Sequence, residues 1–242
     1  MFRRILQFLA AAAFASAAAA GPPYVTDDPE PTEPGHWEVY LFAGADGAHG
    51  AWDGAAGADL NYGAAEDLQL TATVPIALSH ESGAGTRAGA GDLEIGVKYR
   101  FLHAEAAGID VAIFPRVILP TAGRRFGTGR AALLLPVWAE KDIGVWSLFG
   151  GAGYMVNPGA GNRNFWQSGL AVTRTVSPRL SIGGEATLEG PDQADGHRTA
   201  GVDLGGIYKL GGPFALLFSG GPVKEHHGPT GWRGYAALGL SF

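Results

Sequence analysis

The chain has 242 residues, a formal net charge of -6, 46% apolar and 17% charged residues, 39 glycines and no cysteine. An acidic balance without a basic stripe disfavours a general nucleic-acid binder, and the lack of cysteine excludes disulfides and thiolate metal sites. Glycine is unfavourable in helices, whereas the six tryptophans favour strands and membrane interfaces. The composition therefore favours an all-β protein.

The first twenty residues have the pattern of a secretory signal peptide. Arg3 and Arg4 supply the positive region, an apolar stretch runs from Ile5 to about Phe14, and small residues follow. A retained helical anchor is the alternative, although the apolar stretch is short for one. We assign residues 1–20 to a signal peptide and exclude them from the fold.

Residues 21–35 are rich in proline and acidic residues. Proline cannot donate to a strand ladder and the charges cannot form a core, so we expect an extended periplasmic leader. In the simpler interpretation this leader is solvated. In the alternative, Asp27, Asp28 and Glu30 form a cation site, or the segment is a plug strand in the mouth of a barrel.

From residue 36 to residue 242 the chain alternates apolar and polar residues. In GDLEIGVKYRFL, apolar residues occupy odd positions from Leu93 to Phe101, and charged residues occupy the even positions from Asp92 to Arg100 except Gly96. Successive side chains of a strand point to opposite faces, so a period of two predicts a strand. About twelve strands are predicted, at roughly 36–45, 51–62, 68–78, 92–102, 109–119, 131–140, 145–157, 164–176, 180–188, 198–210, 214–221 and 231–242.

The connections after even-numbered strands are tight turns, and those after odd-numbered strands are generally longer and glycine-rich. This asymmetry is typical of an outer-membrane barrel with short periplasmic turns and long external loops. A soluble β-sandwich also alternates its faces, but the signal peptide and the terminal Phe242 favour the membrane. Because an open sheet edge is not tolerated in lipid, we predict a closed, antiparallel transmembrane β-barrel over residues 36–242.

The same parity predicts which side chains line the lumen. A charge on the lipid face near the midplane costs about 2–4 kcal/mol, so charged strand residues should face inward. The predicted lining charges are Glu38, Asp92, Glu94, Lys98, Arg100, Asp110, Arg116, Glu185, Asp203 and Lys209. The predicted inward aromatic residues are Tyr40, Phe42, Phe114 and Phe149. These residues could fill the interior structurally, or they could line a pore for ions and small solutes.

A basic cluster, Arg124, Arg125 and Arg130, falls in a predicted external loop. It could be solvated and pair with lipopolysaccharide phosphates, or it could fold inward and recruit anionic solutes. The adjacent His226 and His227 lack the spacing of a helical zinc site, so we expect no metal. No His shares a strand centre with an outward serine, and we therefore predict neither an enzyme nor a cofactor.

Several separated blocks resemble one known family. The blocks are PPYVTDDPEPTEPGHWEVY, GDLEIGVKYRFL, IFPRVILPTAGRR, LPVWAEKDIGVWSLFGGAGY and NFWQSGLAV, spread from about Pro22 to the C-terminus. They resemble the outer-membrane transporter family named for the MetA pathway of phenol degradation. The resemblance implies a barrel that passes small solutes, aromatic or hydrophobic ones among them, and it supplies no catalytic residues.

The sequence as a whole thus predicts a monomeric outer-membrane channel for passive passage of a small solute. Its expected partners are membrane lipid, lipopolysaccharide, the solute and, through Phe242, the barrel assembly machinery. The alternative is a barrel that does not conduct and binds surface partners or lipopolysaccharide through its loops.

Overall fold

A computed structural model describes residues 23–123, 125–127 and 129–242. The predicted signal peptide and Arg124 lie outside these residues. The described chain contains fourteen strands and one short 3-10 helix, Glu105–Ala107. The strands are β1 Trp37–Ala48, β2 Ala51–Ala65, β3 Leu68–Glu81, β4 Gly85–Ala90, β5 Leu93–Ala104, β6 Ile109–Ile113, β7 Arg116–Leu119, β8 Ala132–Ile143, β9 Trp146–Val156, β10 Phe165–Ser177, β11 Leu180–Glu189, β12 Thr199–Gly211, β13 Phe214–Glu225 and β14 Thr230–Ser241.

The strands form a closed antiparallel barrel whose wall is twelve strands wide. β4 and β5 follow one another along the same edge of β3, and β6 and β7 follow one another between β5 and β8. The ring closes where β1 pairs with β14, from Glu38 opposite Ser241 to Gly47 opposite Trp232. The prediction of a closed transmembrane-type barrel of about twelve strands is confirmed. In the described residues, no helix has the length and apolarity needed to cross a membrane.

Both termini of the barrel domain lie at one end, together with five short turns, and we call this the turn end. The opposite end, the loop end, carries longer connections such as residues 120–131 and 190–198. One loop-end connection is shorter than predicted, because His49 and Gly50 have φ values of 53° and 82°. Two consecutive left-handed residues make the tight hairpin turn that suits the twist of paired strands.

The wall departs from the predicted strand boundaries at two places. The glycine-rich stretch after residue 78, predicted to be a loop, extends β3 and forms β4 as a hairpin, with Glu81 and Arg87 3.2 Å apart. The predicted strand 109–119 is divided at Phe114 and Pro115. Proline has no N–H to donate, and strands commonly break or bulge at such a residue. The Pro115 carbonyl nevertheless accepts a hydrogen bond from the Val97 amide at 3.1 Å.

The outer face of the barrel is apolar along its height. In β5 the odd-numbered Ile95, Val97 and Tyr99 are 45%, 37% and 47% exposed, while Lys98 is 3% exposed. The same alternation leaves Leu41, Val74, Leu170 and many other large apolar side chains exposed on neighbouring strands. A soluble protein rarely exposes an apolar surface of this extent, so the surface is suited to contact with lipid.

Exposed tryptophans stand near both ends of this apolar face. Trp37 and Trp146 lie at the turn end, and Trp166 and Trp232 lie at the loop end. Their amphipathic rings fit the two membrane interfaces, as in the aromatic girdles of transmembrane barrels.

The buried core lies inside the barrel rather than between two sheets. Trp138, Phe149 and Ala171 are almost completely buried on the inner faces of β8, β9 and β10. A second cluster of Tyr40, Leu217 and Ala237 closes the interior near the junction of β1 and β14. The interior is therefore a packed space through which the chain itself also runs.

Candidate solute path through the barrel

The Pro-rich, acidic segment ahead of β1 lies inside the barrel. From Trp37 at the turn end, the chain runs back into the lumen until Pro23 reaches the inner wall of β13, where its carbonyl accepts a hydrogen bond of 2.5 Å from the Ser219 hydroxyl. Asp28 is 0% exposed and Thr26 is 1% exposed. We call residues 23–36 the lumenal leader.

Glu185 on β11 holds the tip of the lumenal leader. Its carboxylate accepts three hydrogen bonds, from the Val25 amide at 2.8 Å, the Thr26 amide at 2.9 Å and the Thr26 hydroxyl at 2.7 Å. Hydrogen bonds to an ionised acceptor are about twice as strong as neutral ones. Glu185 also lies directly opposite Asp203 in the β11–β12 pairing, so the leader supplies donors where two carboxylates are neighbours.

Lys98 on β5 holds the middle of the lumenal leader. Its ammonium lies 3.0 Å from a carboxylate oxygen of Asp27 and 3.8 Å from one of Asp28, and it donates to the Glu30 carbonyl at 3.3 Å. Burial raises the pKa of Asp28 well above its usual range, although Lys98 opposes that shift. A buried cation, a buried carboxylate and a partly buried one therefore depend on one another for charge compensation.

The base of the lumenal leader is held by neutral polar groups. Gln69 accepts hydrogen bonds from the Thr32 amide at 2.8 Å and from the Thr32 hydroxyl at 3.1 Å. The Gln69 amide in turn donates to Asn61 at 2.8 Å and to Thr71 at 3.0 Å. Every member of this network is buried and partnered, which favours a single position for the leader at the turn end.

Two glycines of the wall let the lumenal leader approach closely. A Cβ atom placed on Gly169 of β10 would lie 2.0 Å from the Thr26 hydroxyl oxygen, and one placed on Gly63 of β2 would lie 2.0 Å from the Glu33 carbonyl oxygen. A wall side chain at either position would overlap the leader as it now lies, at Gly169 with the Thr26 side chain and at Gly63 with the backbone. The wall is thus shaped around the leader on two opposite sides.

The residues predicted to line the lumen are placed as follows. Most have inner-facing positions and are buried or partly buried, namely Glu38, Asp92, Glu94, Lys98, Arg100, Asp110, Arg116, Glu185, Asp203, Tyr40, Phe42, Phe114 and Phe149. Lys209 is exposed and lies at the turn-end mouth. Contact between these side chains and a moving solute remains a prediction.

The structure brings many of these charges together in pairs. Arg100 lies 2.7 Å from Asp67 and 3.0 Å from Asp110, and Arg116 lies 3.3 Å from Glu94. The Phe114 ring lies close to both Lys98 and Arg116, whose charged groups are 5.1 and 4.9 Å from the ring centroid. Pairing lets charges occupy a narrow interior without an unfavourable net field.

Two cavities flank the lumenal leader. The larger has a volume of about 350 Å³ and opens at the turn end between the leader and strands β8 to β12. The smaller has a volume of about 130 Å³ and lies against β1, β2, β3 and β5. Tyr24 lines both cavities, so the leader divides the space between them. A solute that crosses the barrel must pass this segment or displace it.

The structure describes two of the three arginines of the basic cluster. Arg125 and Arg130 are exposed on the 120–131 connection at the loop end. Between them in sequence, Phe126 packs against Gly89 of β4, where an added Cβ would lie 2.6 Å from the ring. Gly89 faces inward, because it pairs with the inner-facing Ala77, so this connection turns over the lumen.

Sequence reasoning missed several groups that hold the lumenal leader. Thr26, Thr32 and Gln69 carry no charge and give no motif, and only their burial in the closed barrel shows their role. Glu140 and Ser147 also face the larger cavity. The alternation in β8, where even-numbered residues are buried, could have identified Glu140 as inward-facing.

The fold is shared with several solved structures, although no family model and no curated protein matches the chain. The COG4313 outer membrane channel from Pseudomonas putida F1 is 19% identical, with a TM-score of 0.67 over 89% of this chain and 98% of that chain. The KdgM porin in complex with disordered oligogalacturonate is 11% identical, with a TM-score of 0.59 over 85% and 99%. The NanC porin is 11% identical, with a TM-score of 0.57 over 84% and 98%. Together with the apolar outer face, these likenesses show that the chain has the fold of an outer-membrane β-barrel.

Proposed function

We propose that the protein is an outer-membrane channel for passive passage of small solutes, and that the lumenal leader controls whether the path is open. The observation that carries this proposal is the interior, where ionisable side chains surround a leader flanked by cavities of about 350 and 130 Å³. Because periplasmic turns are short in such barrels, the turn end, where the leader enters, faces the periplasm.

The solute class follows from the resemblance described above and from the inner rings. Tyr24 and Phe149 have ring centroids 6.3 Å apart beside the larger cavity, and Phe114 is buried beside the smaller one. Aromatic rings of this kind can pack against an aromatic or apolar solute. We extend the proposal to small aromatic or apolar compounds and to membership of the MetA-pathway transporter family.

Conductance in a planar bilayer tests the channel. The folded full-length protein should give discrete ionic steps with a low open probability, since the leader occupies the lumen. The Glu185→Ala variant loses the contact between the wall and the leader tip and should have a higher open probability. The Glu66→Gln variant, altered in an exposed turn, should not. If neither the protein nor Glu185→Ala conducts while both are folded, the channel proposal fails.

The buried leader also supports a second candidate, a barrel that does not conduct. Its tip, middle and base are each held by buried hydrogen bonds or ion pairs. In that case the external loops would bind lipopolysaccharide or surface partners, and deleting residues 120–131 would abolish the role without changing permeability. The same bilayer recording separates the two candidates.

A further inference from the structure

The larger cavity has one strongly acidic wall. The Ser147 hydroxyl lies within hydrogen-bond distance of both Glu140 of β8 and Asp142, two residues on, with the Asp142 oxygen at 2.6 Å. A hydroxyl has one proton, so it satisfies only one of the two carboxylates as a donor. Glu30 of the lumenal leader lines the same cavity.

The positive charges around this cavity do not pair directly with that wall. Within the described part of the chain, none of these three carboxylates has an ion pair within 4.0 Å. Arg100 also lines the cavity, but it is already paired with Asp67 and Asp110. Arg179 and Lys209 lie at the mouth, on the side of β11 and β12. Burial, reinforced by the neighbouring Glu140, raises the pKa of Glu30 to about 7, although Arg100 opposes that shift.

The part of the cavity next to the acidic wall is apolar and aromatic. Phe149 is 3% exposed and forms a tilted pair with Tyr24, and Ile207 of β12 also lines the cavity. The buried Tyr24 hydroxyl has no hydrogen-bond partner among the described residues. A volume of about 350 Å³ lies within the range of small-molecule sites, which combine apolar walls with a few convergent polar groups.

The geometry points to a binding site in the larger cavity for a small organic amine with an aromatic or apolar body. The ammonium would bind Glu140 and Asp142, with Glu30 on the leader side, and the body would pack on Phe149 and Tyr24. This inference rests on the proposed channel function and names the solute that the turn-end half of the path selects. It also joins the solute to the leader, because Tyr24 and Glu30 belong to the leader and Phe149 and Glu140 to the wall.

Three probes with the same ring and a two-carbon spacer test the site. Calorimetric titration of the folded full-length protein in a non-ionic detergent would compare 2-phenylethylamine, 2-phenylethanol and 3-phenylpropionate. We expect the amine to bind at least about tenfold more tightly than the alcohol, because charge-assisted hydrogen bonds add that much, and the anion to bind most weakly. Equal binding of the three probes would refute the charge selectivity, and no binding of any probe would refute the site.

A matched pair of variants assigns the selectivity to the acidic wall. Glu140→Gln keeps a group that can accept from Ser147 and removes only the charge, so it should fold and should bind the amine about tenfold more weakly. Glu66→Gln, in an exposed turn at the same end of the barrel, should bind as the parent protein does. Unchanged amine affinity in Glu140→Gln, with a folded barrel, would overturn the assignment.

Bilayer recordings distinguish failure of the site from failure of the channel. If the protein conducts but the amine neither binds nor reduces the current, the site is wrong and the channel stands. If the amine binds selectively and no variant conducts, the channel is wrong and the cavity is a binding site in a closed barrel.

Discussion

The contact between Glu185 and the leader tip gives a quantitative prediction. Glu185→Gln leaves one carbonyl oxygen where the carboxylate now accepts three hydrogen bonds at 2.7–2.9 Å. A hydrogen bond to a charged group contributes about 1.5–3 kcal/mol, so losing one such contribution should release the leader about 10- to 100-fold more often. The barrel itself should not suffer, because the change also removes one of two neighbouring carboxylates at Glu185 and Asp203.

Hydrogen exchange measures this release directly. Exchange of amides within residues 23–33, followed by mass spectrometry, reports the population in which the leader leaves the wall. Protection of the Val25 and Thr26 amides should fall about 10- to 100-fold in Glu185→Gln, while amides of the central strands keep their protection. Glu66→Gln serves as the control. Equal protection in Glu185→Gln and the parent would show that this carboxylate does not hold the tip.

The remaining predictions use the same exchange assay or simple folding assays. Lys98→Met leaves the fully buried Asp28 and the partly buried Asp27 without their cation, which costs about 3–5 kcal/mol, so leader protection should fall more than 100-fold. A smaller loss than in Glu185→Gln would contradict the ion-pair account. Because burial raises the pKa of Glu30 to about 7, the docked leader favours the protonated carboxyl. Protection, corrected for intrinsic exchange, should therefore decrease as pH rises from 5 to 8, and Glu30→Gln should weaken that dependence, with the buried Asp28 supplying the remainder. Deleting Phe242 removes two backbone hydrogen bonds to Trp37 where the barrel closes. Assembly into membranes should therefore be slower, as measured by the appearance of the heat-modifiable folded band on gel electrophoresis. Assembly at the parent rate would refute a role for this residue.

Strand parity predicts which side chains of the wall face inward, because residues of each strand alternate between the lumen and the lipid. Lys98 lies inside and Tyr99 outside, as expected for a strand with lipid on one face. Strand boundaries are harder to predict where the local composition fits both a strand and a loop. The glycines around Gly85 favour a loop, yet a β3–β4 hairpin forms, with the two strands paired from Ile76 opposite Ala90 to Glu81 opposite Gly85.

The position of the lumenal leader depends on contacts that no local pattern contains. Thr26 and Glu185 are 159 residues apart in sequence, and they meet only because the barrel closes around the leader. The proline and acidic composition indicated an extended segment, which fits both a solvated leader and a lumenal one. The deciding features are Gly169, Gln69 and Lys98, each on a different wall strand and each uninformative until the ring is assembled.

Reversible fixation of the leader tests the central claim most directly. The chain has no cysteine, and an added Cβ on Gly169 would lie 3.2 Å from the Thr26 Cβ, a few tenths of an ångström below the disulfide range. Thr26→Cys combined with Gly169→Cys should therefore form a single disulfide between leader and wall. The account predicts few or no conductance steps from the oxidised protein and frequent steps from the same membrane after reduction. Identical conductance in the oxidised and reduced states would show that movement of the leader does not control the path.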